Sequence, residues 1–221
     1  MGKVRIVKEP EERRKEILDV AERLFLTKGY DNTSTTDILK ELQIARGTLY
    51  YHFKSKEDIL DAVTDRRTDE LITKAASIVK NTAIPVLERL SRVIKSLNME
   101  GDLGVEVMEQ IHKPHNVLLH KKFQEKVDAR LTPILTLLIE EAIGQGICHT
   151  DYPAEVVEMA MIYSSEVFDT LSKYVMPDPK RKIKAFIYNL ERLLGMPQGT
   201  LETVLLPIFK QPSWMRGTRG K

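Results

Sequence analysis

Thr33 to Lys56 reads TSTTDILKELQIARGTLYYHFKSK, and two short helical patterns sit in it a few residues apart. Ile38, Leu39 and Leu42 give the first an apolar stripe; Leu49 and Phe53, four apart, give one to the second. Ser34 is placed to cap the first helix, because its hydroxyl can accept from an orphan N–H of the opening turn. Asp37, three residues on, sets a carboxylate at the positive end of the helix dipole. Gln43-Ile44-Ala45 is too short for anything but a tight turn, and Ile44 is apolar enough to fill the corner. Length and pattern predict a helix-turn-helix.

The second helix has another face. Gly47, Tyr50, Tyr51 and Lys54 follow i, i+3, i+4, i+7 spacing and share one side, roughly opposite Leu49 and Phe53. Such a face suits a charged, planar partner: glycine allows close approach, tyrosine hydroxyls bond phosphate oxygens, and rings can touch base edges. Arg46 and Lys56 add charge at the two margins. The competing reading is a pair of ordinary surface helices with a solvated tyrosine pair.

The residues go beyond pattern. Gly29-Tyr30, Thr33-Ser34, Asp37-Ile38, Gly47-Thr48-Leu49-Tyr50-Tyr51-His52-Phe53 and Lys56-Glu57-Asp58-Ile59-Leu60 resemble the TetR family of bacterial transcription regulators, over about Arg14 to Leu60. The resemblance, with the face geometry, implies that Arg46, Tyr50, Tyr51 and Lys54 approach the major groove of DNA. Gly47 lies at that surface, and Ser34, Thr35, Thr48, His52 and Lys56 hold phosphates. The chain departs from the family pattern at Gln43, where glycine is frequent, at the bulky Leu39 and Leu42, and at Ala45, where a capping serine is usual.

Composition bounds the alternatives. The chain has 221 residues and a formal net charge of only +2, so any nucleic-acid footprint must be local. Cys148 is the single cysteine, which excludes an intramolecular disulfide and fits a reducing compartment. Met1 to Arg14 is charged throughout and no uncharged run approaches a membrane span, so a cytoplasmic location is expected. Lys3, Arg5 and Lys8 make a basic arm that either reaches DNA or frays.

Outward from the opening stretch, Pro10 to Lys28 predicts a helix, with Ile17, Ala21, Leu24 and Phe25 on one face and Gly29 as its stop. Ser55, with Asp58 behind it, caps one long helix from Lys56 to about Lys80. Its polar middle, Asp65 to Glu70, suggests a stretch bridging two bodies. Further helices are expected over Ile84–Leu97, Val105–His112, His115–Ile143 with a kink at Pro133, Pro153–Val175, Arg181–Leu194 and Thr200–Phe209. No segment has strand periodicity. The chain reads as all-α: a three-helix helix-turn-helix domain over 1–55, then a larger helical effector-binding and dimerisation domain over 56–221.

Residues 154–175 are apolar around much more than one stripe, and residues 181–194 can join them in a four-helix interface between two chains. Val157, Met161, Phe168, Phe186, Leu190 and Leu194 are the expected interface; burial within one chain is the alternative. The resemblance implies an effector cavity in the helical body, with Met108, Glu109, His112, Phe123, Tyr163, Glu166 and Phe168 as candidate lining. His112, His115 and His120 do not have helical metal-site spacing, and no metal or cofactor is expected. No GxSxG, P-loop, GxGxxG or HExxH is present, and nothing argues for an enzyme. The expected function is a homodimeric, ligand-responsive regulator, most simply a repressor released from a palindromic operator by a small hydrophobic molecule. The rival is a DNA-binding regulator controlled without a small-molecule effector, by a protein partner or as an activator.

Overall fold

The computed structural model describes residues 9–97, 113–168 and 178–209, and every regular element among them is helical. They are α1 (Pro10–Lys28), α2 (Thr35–Leu42), α3 (Arg46–His52), α4 (Lys56–Lys80), α5 (Val86–Leu97), α6 (Val117–Gly144), α7 (Pro153–Val167), α8 (Pro179–Leu193) and α9 (Thr200–Phe209). A 3₁₀ turn, Pro114–Asn116, precedes α6. Of the described residues, one compact unit takes in 9–67 and 113–123, and the other takes in 68–97, 124–168 and 178–209. The helix expected over Val105–His112, the basic arm and the chain end lie outside the described residues, as do Met108, Glu109 and His112.

The first unit is an N-terminal helix-turn-helix. Ile17, Ala21, Phe25, Ile38, Leu49, Phe53, Ile59 and Leu60 are all buried in it, so the apolar stripes of α1 to α4 meet in one core. Each boundary has a local cause. Gly29 closes α1 with φ at 90°, and a Cβ there would lie 2.9 Å from the ring and the carbonyl of His115. Only glycine satisfies both the backbone and the close approach. Thr33, buried behind it, donates to the Gly29 carbonyl at 2.8 Å. The cap at Ser34 is a full capping box with Asp37, and Ser55 accepts from the Asp58 N–H at 3.0 Å to start α4.

The turn after α2 is a Schellman motif. Ile44 N–H donates to Leu39 and Gln43 N–H to Lys40, with Gln43 in the left-handed region at φ 52°. A glutamine therefore occupies the position that glycine fills elsewhere in this chain: Gly146 and Gly195 end α6 and α8 with the same pair of bonds.

The polar middle of α4 carries ion pairs. In the first unit, Arg66 and Arg67 both bond Glu22 of α1, and Arg66 also reaches Asp19 at 2.6 Å. In the second unit, Asp69 pairs with Arg130 at 2.6 Å. The second unit is larger. Arg89 of α5, buried, bonds the Ile84 and Val79 carbonyls and Glu141 of α6, which ties the α4–α5 connection down. Glu191 of α8 is buried and accepts from the N–H groups of Gly199, Leu201 and Glu202, capping α9 from outside it. α8 starts at Pro179, two residues before the expected Arg181: Asp178 accepts from the Arg181 N–H, and proline suits the first helical position.

Candidate nucleic-acid interface

α3 buries one side and leaves the other bare. Leu49 and the flanking Phe53 are packed away, with the Arg14 guanidinium 5.0 Å above the Phe53 ring. Opposite them, Tyr51 is 76% exposed and Tyr50 39%, and Arg46, Gly47 and Lys54 are exposed as well. Gly47 carries the sharpest information. A Cβ built there meets nothing within 4 Å, and its φ does not lie in the left-handed region. Among the described residues no packing or backbone demand asks for glycine, although glycine weakens a helix by about 0.5–1 kcal/mol relative to alanine.

Arg46, one turn before Tyr50, sets its guanidinium 5.3 Å from the Tyr50 ring centre. Hydrogen bonding toward Thr35, then toward Arg46, pulls the Tyr50 phenol below the usual tyrosine range. The neighbouring Tyr51 stands edge-on to His52, ring centres 4.9 Å apart.

Two predicted phosphate holders have partners of their own. The Ser34 hydroxyl accepts from Asp37 N–H at 3.2 Å and donates to the Asp37 carboxylate at 2.6 Å. Those bonds, with the Ser34 backbone N–H behind them, keep the Asp37 carboxyl below its ordinary range. Lys56 donates to the Tyr30 carbonyl at 2.9 Å and sits 4.1 Å from the Tyr30 ring centre. One of its three N–H bonds is committed there. Thr48 and His52 are half-buried.

The residues expected of the body divide. Phe123 is core of the first unit, whereas Tyr163, Glu166 and Phe168 lie in the second. Tyr163 stacks on Phe186 at 5.2 Å, and Phe168 stands edge-on to both, so candidates from the ligand and interface sets form one aromatic cluster. Of the interface set, Val157 and Leu194 turn inward, while Met161, Phe186 and Leu190 are half-buried. The large apolar side chains left exposed on α7 and α8 are Met159, Ile162, Tyr163, Tyr188 and Leu193. Asp128, which the sequence did not single out, accepts from Gln124 at 2.9 Å and bonds Ser165, with Glu166 nearby. Burial chiefly, then the Glu166 charge, pushes its carboxyl up against the lowering effect of those bonds.

A helix-turn-helix with such an open second helix defines a DNA-binding protein. Residues 17–63 match the family model for bacterial regulatory proteins of the tetR family. The chain is 27% identical to the fatty acid metabolism regulator protein of Bacillus subtilis (strain 168) over 183 residues, 81% of this chain and 92% of that protein. It is 44% identical over 66 residues to an HTH-type transcriptional regulator of Staphylococcus aureus (strain USA300), 30% of this chain; that match spans only 36% of the relative's length. Among solved structures, a transcriptional regulator of the TetR/AcrR family from Thermobifida fusca shares the fold, with a TM-score of 0.55 and 21% identity over 86% of this chain and 98% of that one. Residues 17–63 are thus a DNA-binding region of the tetR type, and the relatives that the chain resembles are transcriptional regulators. None of its described helices is long and apolar enough to cross a membrane.

Proposed function

We propose that this regulator is a cytoplasmic homodimeric repressor that reads a palindromic operator through residues 1–55 and is released by a small hydrophobic molecule bound within residues 56–221. The observation that carries the DNA contact is the outward side of α3. Gly47 has open space where a side chain would be, between Arg46 and the exposed Tyr50, Tyr51 and Lys54. A residue that weakens its own helix without serving its own fold is explained by a partner that comes close. Arg46, Tyr50, Tyr51 and Lys54 would face the major groove, and Ser34, Thr35, Thr48, His52 and Lys56 the phosphates, Lys56 with its remaining N–H bonds.

Two chains would pair through α7 and α8. The exposed side of α7 carries Glu155, Glu158 and Glu166 around Met159, Ile162 and Tyr163. That of α8 carries Arg181, Lys184 and Arg192 around Ala185 and Tyr188. Under a two-fold axis each acidic side meets the partner's basic side, twice over, with the apolar residues between them. The effector would act by favouring a dimer in which the spacing of the two readers misses the operator, and its effect is limited by its differential affinity for the two states. The Bacillus subtilis relative is named for fatty acid metabolism, which fits an apolar effector.

The test starts from a duplex that the wild-type protein enriches from a random-sequence pool. Tyr50→Ala and Lys56→Ala should both weaken binding to it, and Lys56→Ala should shallow the dependence of log K on log salt by about one. Unchanged binding by both variants at physiological salt would remove α3 as the reader.

A further inference from the structure

We propose that Tyr30 is a positioning residue for Lys56: its ring face and its main-chain carbonyl seat the Lys56 ammonium at the start of α4 in advance of any partner and leave the positive charge uncompensated. The inference rests on the reading of Lys56 as a phosphate holder and gives Tyr30, in the loop between α1 and α2, a part in that contact.

The seat has two walls. Lys56 Nζ donates to the Tyr30 carbonyl at 2.9 Å and lies 4.1 Å from the centre of the Tyr30 ring. Both walls are held from behind. The same carbonyl accepts from the Thr33 N–H at 3.2 Å, and the Thr33 hydroxyl donates to the Gly29 carbonyl at 2.8 Å. The ring stands edge-on to the buried Phe25, centres 5.3 Å apart. The helix that carries Lys56 gains nothing from it there. Lys56 opens α4, and Glu57 and Asp58 follow in the same turn. That end of a helix favours carboxylates and disfavours an ammonium.

The kind of partner decides what the charge can do. Lys122 of α6 also lies against the start of α4, and it donates to Asp61 at 2.8 Å and to Glu57 at 3.0 Å. Its charge is answered by two carboxylates. The partners of Lys56 among the described residues are a carbonyl and a ring, which attract a cation through a dipole and a quadrupole and carry no charge of their own. The ammonium is therefore fixed in place with its charge intact. A lysine loses much rotamer freedom when an anion captures it, and that loss weakens binding; the seat removes most of it beforehand.

The experiment uses the full-length protein and the duplex that wild type enriches. Tyr30→Leu, Tyr30→Phe, Lys56→Met and the double variant Tyr30→Leu/Lys56→Met are compared with wild type, each first shown to be folded by urea unfolding. Tyr30→Leu keeps the carbonyl and an apolar side chain but removes the ring, and should lose about three- to tenfold in affinity. Tyr30→Phe keeps the ring face and should stay within about twofold of wild type. Lys56→Met should lose at least as much as Tyr30→Leu, and the double variant no more than Lys56→Met alone. In the protein without DNA, NMR with isotope-labelled lysine, Lys56 being assigned through Lys56→Met, reads the seat directly. The ring current should shift the Lys56 ε-methylene protons upfield in wild type and in Tyr30→Phe, and Tyr30→Leu should return them to the ordinary lysine position.

If Tyr30→Leu binds as wild type does, or costs the same factor in the Lys56→Met background, Tyr30 does not act through Lys56 and the positioning role is overturned. A Tyr30→Phe variant that loses as much as Tyr30→Leu moves the effect to the hydroxyl and overturns the ring seat, as does an unshifted ε-methylene in wild type. If Lys56→Met binds as wild type does, or wild type enriches no duplex, the reading of Lys56 as a phosphate holder fails and takes the DNA role of Tyr30 with it. The ring-current shift, which needs no DNA, then still decides whether Tyr30 holds the ammonium.

Discussion

Two residues of the helix-turn-helix sit where their own helix would do better with something else, and they differ in what the exception means. Gly47 weakens α3 with no packing reason inside the chain. Gly47→Ala should therefore raise stability by about 0.5 kcal/mol in urea unfolding, while it weakens binding to the enriched duplex by about tenfold or more. If the alanine variant binds DNA as wild type does, nothing approaches that spot. Gln43 is the opposite case, a side chain in the left-handed position of a Schellman turn. Gln43→Gly should stabilise the protein by about 1 kcal/mol, seen as a higher urea midpoint at unchanged slope. It should leave DNA affinity within about twofold if the turn geometry is already the one glycine would adopt. The contrast was visible in the sequence only in part. Gln43 stood out because the resembled family often has glycine at that turn. That Gly47 faces open space depends on side-chain positions across two helices, which spacing along one helix does not report.

At the scale of elements, local signals fixed most of the boundaries. Pro10 and Gly29 bracket α1, Ser34 and Asp37 start α2, Ser55 and Asp58 start α4, and glycines close α6 and α8. Each of these acts within four or five residues, which is why it could be read. What escaped were interactions made over long separations. The arginines in the polar middle of α4 are partnered by Glu22, more than forty positions earlier. Glu191 of α8 is buried and caps α9. Glu191→Ala should cost about 2 kcal/mol or more, since it strips three backbone N–H groups of their acceptor, and Glu191→Gln less, since one oxygen remains. A thermal melt showing the alanine variant within about 0.5 kcal/mol of wild type would reject the cap. Asp128 gives a prediction with a pH sign. Its folded-state carboxyl is raised, chiefly by burial, so the folded form holds its proton to higher pH than the unfolded chain does. Its penalty is absent below the unfolded value and grows as pH rises through the folded value. Asp128→Asn should thus be more stable than wild type at neutral pH, and the difference should shrink toward acid; a difference that instead widened as pH fell would contradict the burial cause.

For the whole molecule the question is what covers α7 and α8. The sequence pointed to these helices as the interface, because 154–175 is too apolar to be one-sided, but periodicity could not say which of those apolar positions the chain buries for itself. Val157 and Leu194 are turned into the second unit, and Met159 and Ile162 are left 57% and 53% exposed. Scattered exposed apolar residues are ordinary. These are not scattered: on α7 they share one side with Glu155, Glu158 and Glu166, and the matching side of α8 is basic around Tyr188. A surface divided into an acidic and a basic half, each with an apolar centre, is self-complementary under a two-fold axis, which satisfies both halves at once in a closed pair. If the proposed dimer pairs through this face, Ile162→Glu, adding a charge at the apolar centre and a fourth carboxylate to the acidic side, should convert it to monomer in sedimentation velocity at micromolar concentration. The charge reversal Glu158→Lys should weaken the dimer in a salt-dependent way, with the defect fading at high ionic strength as the repulsion with the partner's basic side is screened. The unfolding midpoint of the isolated chain should hardly change for either, because both positions are exposed. Loss of the dimer should then carry over to DNA. A single reader keeps half the contacts, so affinity for a palindromic duplex should fall by about a hundredfold or more while affinity for a single half-site stays the same. A variant that is monomeric yet binds the full palindrome as tightly as wild type would separate pairing from operator recognition, and a variant that stays dimeric would place the interface away from this face of α7.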